Sequence, residues 1–272
     1  MKKFSRFVLG LCVVGTFVFA AAAQDSSASI PKVLQITREY VKAGKAGMAH
    51  ETTESAFVSA MRKAKWPTNY IGMTSLSGKS RALFLTSYAS FEAWQKDSDA
   101  VQKNEGLSAS ADSAYMSDGE LLDSMDQGVF YFQEEMSLRP RADLSQFRYM
   151  EVSSYHVKPG KDKEWAEVVK MVKAAYEKGV PDAHWGMFEM MYGGEGGTYL
   201  VLSGHKSLAE IDQSFAQGKA FQAAMGEEGM KKLDEKFGDC VDVTQHQLFA
   251  FNPHMSYVKD EWIKADPNFW KP

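Results

Sequence analysis

Cysteine is almost absent. The 272 residues include two, Cys12 and Cys240. Cys12 sits in an apolar N-terminal run, so a processed chain keeps Cys240 alone and has no internal disulfide. Burial at a helix–strand junction is the expected place for it. Proline is also scarce, with eight residues, which excludes collagen-like and proline-rich architectures. A second apolar run is missing, and the only one, Phe7 to Phe19, is short for a span of ~20 residues. Positive charge is in deficit, with 31 Lys and Arg against 35 Asp and Glu. Such a balance disfavours nucleic acid and anionic lipid as partners. What remains is 44% apolar and 24% charged, the composition of a globular protein with a sizeable core.

The N-terminus departs from the rest. Lys2, Lys3 and Arg6 precede the apolar run, and Ala20 to Ala23 follow it. A basic start, a short apolar core and small residues make a secretory signal peptide over residues 1–23, and imply an exported protein, periplasmic or extracellular. Its removal leaves a net charge of about −7. Residues 24–31 are small and polar and read as a flexible lead-in.

The remainder is a tandem repeat. Val41-Lys42-Ala43-Gly44-Lys45 recurs as Val157-Lys158-Pro159-Gly160-Lys161, Tyr70-Ile71-Gly72-Met73 as His184-Trp185-Gly186-Met187, and Leu83-Phe84-Leu85 as Leu200-Val201-Leu202. Ser90 and Ser207 recur as candidate helix N-caps. Each repeat reads as a strand (33–41, 149–157), a helix, a hairpin (69–76 with 81–88, 184–192 with 198–204), a second helical region and a final strand near 128–136 or 243–251. The first helix carries apolar residues at helical spacing: Ala56, Phe57, Ala60, Met61 and Ala64 in one repeat, Trp165, Val168, Val169, Val172 and Tyr176 in the other. The order βαββαβ is the ferredoxin-like motif. The fold class is therefore α+β, with units at 32–136 and 149–251, a linker at 137–148, and an aromatic tail, 252–272, expected to dock on the body.

The run Glu151-Val152-Ser153-Ser154-Tyr155-His156-Val157-Lys158-Pro159-Gly160-Lys161, followed by Trp165, resembles the opening of NIPSNAP-like and antibiotic-biosynthesis-monooxygenase-like dimeric α/β-barrel domains. The resemblance covers both repeats and implies a barrel with a central cavity, here built within one chain. Ser153 stands where such openings usually carry Arg, with Gln35 and Thr37 in the first repeat. The Asn, Trp and His set of the haem-degrading relatives has no counterpart, so no catalytic residue is carried over.

Strand alternation assigns Leu34, Ile36, Leu83, Leu85, Met150, Val152, Leu200 and Leu202 to the helix-packed face. The cavity then receives Glu39, Thr86, Tyr88, Tyr155 and Ser203 as ligand-binding candidates, joined by His184 and Trp185 on the second strand of the second unit. His205, at the end of one strand, falls beside Glu151, at the start of its antiparallel neighbour. An imidazole next to a carboxylate suits proton transfer, and an ordinary strand-end hydrogen bond is the bland alternative. His184 among aromatics also raises haem, and with Met187, Met190 and Met191 raises copper, but Met is a routine core filler. No cofactor is assigned, and no metal ligands are, since no zinc-type Cys/His spacing occurs. Gly193 to Gly197 joins two strands and is a hairpin turn, not a phosphate loop. Three readings follow: an exported protein binding a small organic molecule, a cofactor-independent oxygenase or isomerase using His205 with Glu151, or an interaction module, each as a monomer or homodimer.

Overall fold

The computed structural model describes residues 30–271; the signal-peptide reading and most of the lead-in lie outside them. The first unit runs β1 (Val33–Val41), α1 (Met48–Ala64), β2 (Tyr70–Ser75), β3 (Arg81–Tyr88), α2 (Phe91–Lys103), α3 (Glu105–Gly119) and β4 (Leu122–Phe132). The second repeats it as β5 (Tyr149–Val157), α4 (Asp162–Gly179), β6 (Gly186–Tyr192), β7 (Thr198–His205), α5 (Leu208–Met225), α6 (Glu227–Cys240) and β8 (Val241–Phe251).

Each expected second helical region is a pair of helices. In the first unit the break falls at Asn104, whose side chain accepts from Leu107 N. In the second it falls at Gly226, whose φ of 75° suits a residue without Cβ. Ser90 caps α2 by accepting from Ala93 N. Ser207 makes no such bond; Glu210 instead reaches back to Lys206 N at 2.7 Å. The last strands start earlier than the sequence suggests, at Leu122 and Val241, because both pair along most of their length with the first strand of their unit.

The eight strands close into one barrel in the order β1-β3-β2-β8-β5-β7-β6-β4. The units are joined twice, by β2 with β8 (Met73↔Phe251) and by β4 with β6 (Phe130↔Met190). Closure decides which face is inside. Leu34, Ile36, Leu83, Leu85, Met150, Val152 and Leu200 form one buried cluster with Met73, Phe130, Phe188, Phe249 and Phe251, residues drawn from all eight strands. The expected face assignment is thus reversed. An eight-stranded barrel is just wide enough for side chains to fill, and here apolar ones fill it, so the expected central cavity lined by tyrosine, histidine and hydroxyls is not what the interior holds. Glu39, Thr86, Tyr88, Tyr155 and Ser203 point outward, toward the helices.

The segment 137–148 is strapped down rather than loose. Ser137, Leu138, Ser145 and Phe147 are buried, and Leu138 bridges to Trp185. Ile30, within the expected lead-in, packs on the core. After β8 a 3₁₀ turn (Pro253–Met255) and two short helices, α7 (Asp260–Ala265) and α8 (Pro267–Trp270), close over the barrel. Trp270 is 1% exposed and donates from Nε1 to Ser145 O at 2.7 Å. Cys240 is buried where α6 meets β8, and burial raises its thiol pKa.

Candidate functional site

The outer face of the first unit buries a group of ionisable side chains. In α1 the buried positions are His50, Glu54 and Val58, each four residues from the next and so on one stripe. The apolar spacing read from the sequence marks a different side: Phe57 packs edge-on to Tyr115 of α3 at 4.7 Å between ring centroids. Beneath the stripe lies Glu39, from the outward face of β1, and beside it Asp118, from the last turn of α3. Glu39, His50, Glu54 and Asp118 are 4%, 2%, 3% and 2% exposed.

Their geometry converges on one atom. His50 Nε2 lies 3.0 Å from Glu39 Oε2, 3.5 Å from Asp118 Oδ1 and 3.9 Å from Glu54 Oε1. One candidate ligand atom from each of the four falls within 4.8 Å of all the others. The Thr53 hydroxyl sits 2.6 Å from Asp118 Oδ1 and 2.8 Å from His50 O, and its single hydrogen holds the carboxylate in place when directed there. Glu54 Oε1 and the Tyr70 hydroxyl are buried and have no hydrogen-bond partner among the described residues. Carboxylates crowded away from water resist ionisation. Burial pushes Glu54 up to about 10, with the charges of Glu39 and Asp118 adding to it. Burial also raises Glu39, against the pull of its bond to His50.

A cleft of about 310 Å³ reaches this group from outside, with His50 in its wall. Its rim comes from Gly47 before α1, from Thr74 and Arg81 of the β2–β3 hairpin, and from Asn252 and Met255 of the docked tail. The tail is fastened there: Asn252 Nδ2 donates to Glu51 Oε2 at 2.7 Å, and Ser256 Oγ accepts from Gly72 N at 2.9 Å.

The second unit supplies an internal control. By strand register Tyr155 occupies the place of Glu39. On the buried stripe of α4, Trp165 and Val169 stand where His50 and Glu54 do, and Phe237 precedes β8 by the same four residues as Asp118 precedes β4. That set is an aromatic cluster, with Tyr155 5.3 Å from Trp165 and 6.1 Å from Phe237 between centroids. The same frame is stable with apolar filling, so it does not require acids at these places.

The residues singled out from sequence are dispersed. His205 and Glu151 do share the outer face, with Nε2 3.6 Å from Oε2. The nearby His205 lowers the Glu151 pKa, against the effect of burial, while His205 Nε2 is buried with no hydrogen-bond partner among the described residues. Ser153 Oγ joins them, 3.3 Å from Glu151 Oε1 and 2.8 Å from His246 Nδ1. Ser203 faces Glu151 across the β5–β7 pair, and Thr86 faces Gln35 across β1–β3. The Tyr88 hydroxyl contacts Asp97 at 3.2 Å, and its ring stacks on Trp94. Trp185 donates to Met136 O. His184 stacks on Phe147 and has both ring nitrogens near backbone carbonyls, Asp182 O at 3.0 Å and Gly204 O at 3.1 Å. Neither nitrogen is open to an axial haem bond. Met187 and Met190 belong to the outer and inner cores, and Met191 is 44% exposed, so the suggested copper set does not converge. Of the candidates, Glu39 alone belongs to the four-residue group.

Searched by sequence, the chain matches no family description and no curated protein. Solved structures do match. Two, from Lactobacillus acidophilus and Fusobacterium nucleatum, are each described as a "putative monooxygenase". The first is 9% identical, with 81% of this chain and 94% of that chain covered and a TM-score of 0.50. The second is 11% identical, with 82% and 93% covered and a TM-score of 0.51. The fold is that of the dimeric α/β barrels. Identities this low describe backbone alone, so activity has to be argued from the site.

Proposed function

We propose that this protein binds a divalent transition-metal cation in its first unit, through Glu39, His50, Glu54 and Asp118. The observation that carries the reading is the inward-facing, unpartnered Glu54 Oε1 within a fully buried group of three carboxylates and one imidazole. Ligands ~2.1 Å from an ion lie at most about 4.2 Å apart, so atoms already within 4.8 Å of one another need only a small contraction. Three oxygens and one nitrogen suit manganese or iron; calcium and magnesium favour all-oxygen shells, and copper(I) favours sulfur. The cleft at His50 gives an entry path, and Thr53 orients Asp118 from outside the shell.

Metal analysis of protein purified without chelator, with calorimetric titration of Mn²⁺ and Fe²⁺ into resin-treated protein, tests this. One site per chain is expected, lost in His50→Ala and in Glu54→Ala, with protons released on binding. Absence of saturable binding in the micromolar range would sink it. Export is part of the same proposal, supported by the basic, apolar and small-residue order of residues 1–23. A mature N-terminus near Gln24 in the periplasm or medium is its check.

A second reading rests on the Glu151–His205 pair. On one face of the sheet and joined by Ser153 and His246, it has the acid–base character of a proton-transfer site. Turnover of an enolisable aromatic substrate that is lost in His205→Gln, while metal binding is kept, is its signature.

A further inference from the structure

The start of α1 is built more loosely than its counterpart in the second unit. Residues 43–49 are exposed throughout, and His50 is the first buried residue after them. The helix begins after Gly47, whose φ of 90° suits glycine and which has no side chain to cap the free N–H groups. In the second unit Pro159 takes the place of Ala43 and Asp162 that of Gly47, and Lys161 ties the start of α4 to Asp239 of α6 at 2.6 Å. The start of α1 is held instead from the tail. Glu51, next to His50, accepts at Oε2 from Asn252 Nδ2 at 2.7 Å. One turn on, Ser55 Oγ lies 3.2 Å from His254 O. The turn they touch is a fixed post: Asn252 N donates to Gly72 O at 2.9 Å, and Tyr257 exchanges two backbone bonds with Tyr70 of β2.

We infer that residues 46–51 are a lid over the buried group, hinged at Ala46 and Gly47 and latched by Glu51 to Asn252. The cleft runs along this segment: Ala46, Gly47, His50 and Glu51 line it together with Asn252 and Met255. The group itself is sealed, at 2–4% exposure for its four members, so whatever reaches it needs an opening. The post is fastened to β2 at both ends, and β1 is paired on both sides within the barrel. The exposed, uncapped helix start is therefore the part of the wall with least to hold it. Opening frays the first turn of α1, breaks the charge-assisted bond to Asn252 and lifts His50 Nε2 from its place 3.0 Å from Glu39 Oε2; closing restores both. The lid rests on the metal-site reading only for its role, which is to set how fast the cation enters and leaves; the latch itself needs no metal.

The test is the rate at which diethyl pyrocarbonate acylates His50, read by peptide mass spectrometry on resin-treated, metal-free protein, with the exposed His246 as internal reference. In wild type His50 should react far more slowly than His246. Asn252→Asp keeps an oxygen to accept from His254 N but sets a carboxylate against Glu51. It should speed His50 about tenfold or more and leave His246 unchanged. Glu51→Gln combined with Asn252→Asp again puts an amide opposite a carboxylate, with donor and acceptor exchanged. That pair should return His50 to within about twofold of wild type. Three results would overturn the lid: His50 as reactive as His246 in wild type, no acceleration in Asn252→Asp, or an acceleration that the double variant does not reverse. Release of bound Mn²⁺ to excess chelator should follow the same order, and equal rates in all three proteins would overturn the lid's role in exchange. Because the labelling is metal-free, its failure leaves the cation result standing, and failure of cation binding leaves the labelling result standing.

Discussion

Replacing Glu54 with glutamine should change how stability depends on pH, by an amount that follows from the site. In the metal-free protein the Glu54 carboxyl holds its proton to about pH 10, whereas an unfolded chain loses it near 4.5. Between these values the folded state binds one proton more than the unfolded state. Stability therefore falls as pH rises, by about 1.4 kcal/mol per pH unit. The raised pKa fixes the sign: the full benefit is present below pH 4.5 and is lost progressively toward pH 10. From pH 5 to pH 8 the loss is about 4 kcal/mol. Glutamine has the shape of the neutral acid and does not titrate. In urea unfolding of resin-treated protein, Glu54→Gln and wild type should be similar at pH 5. The variant should be about 4 kcal/mol more stable at pH 8. Mn²⁺ at a hundred times its Kd should then narrow that gap by about 2.7 kcal/mol, and at a thousand times its Kd, worth about 4.1 kcal/mol, should close it, since the variant has lost a donor. Parallel stability curves across the pH range would refute the account of a crowded, desolvated acid.

Trp270→Ala should cost about 3–5 kcal/mol by emptying a fully buried place, read as a lower urea midpoint. Gly72→Ala places a methyl 2.3 Å from Met255 O; backbone must move, at about 1–3 kcal/mol, and limited proteolysis should then release the tail that walls the cleft. His205→Ala should return the Glu151 pKa upward toward 4.5 in a carbon-detected NMR titration, because the neighbouring His205 is the main cause of its lowering. Wild type should correspondingly lose that pairing's stabilisation as pH falls through the lowered value; an unmoved pKa would show that the two side chains do not pair in solution.

The repeated frame was open to reading because it is written in local signals. Turns at Gly44 and Gly160 end β1 and β5, and alternation within each strand sorted its residues into two faces. Which face was inside was not open to that reading. Both faces of a barrel strand are covered, one by the opposite strands and one by helices, so alternation shows the more apolar face without saying what covers it. The four-residue group escaped for a related reason. Glu39, His50, Glu54 and Asp118 come from β1, α1 and α3 at spacings that match no motif. One local clue existed: His50 and Glu54 share a stripe with Val58, opposite the partner positions Trp165 and Val169 of the second repeat. Nothing local marked Asp118, which depends on how α3 lies across α1.

The duplicated frame also decides how the group should be weighed. A lone buried carboxylate can be an accident of packing, tolerated because neighbouring contacts outweigh it. Here three of them meet an imidazole in the first unit, while the second unit fills the equivalent places with Tyr155, Trp165, Val169 and Phe237. Exchanging buried charge for apolar bulk is commonly neutral or stabilising, and this chain carries a working example of the exchange in its own other half. The acids therefore contribute nothing that the architecture lacks without them. The raised pKa values of Glu39 and Glu54 are a standing destabilisation of the metal-free protein at neutral pH, and Glu54 Oε1 and the nearby Tyr70 hydroxyl remain unsatisfied. The cation proposed above would take the place of the protons, supply the missing partner for Glu54, and turn mutual repulsion into shared attraction.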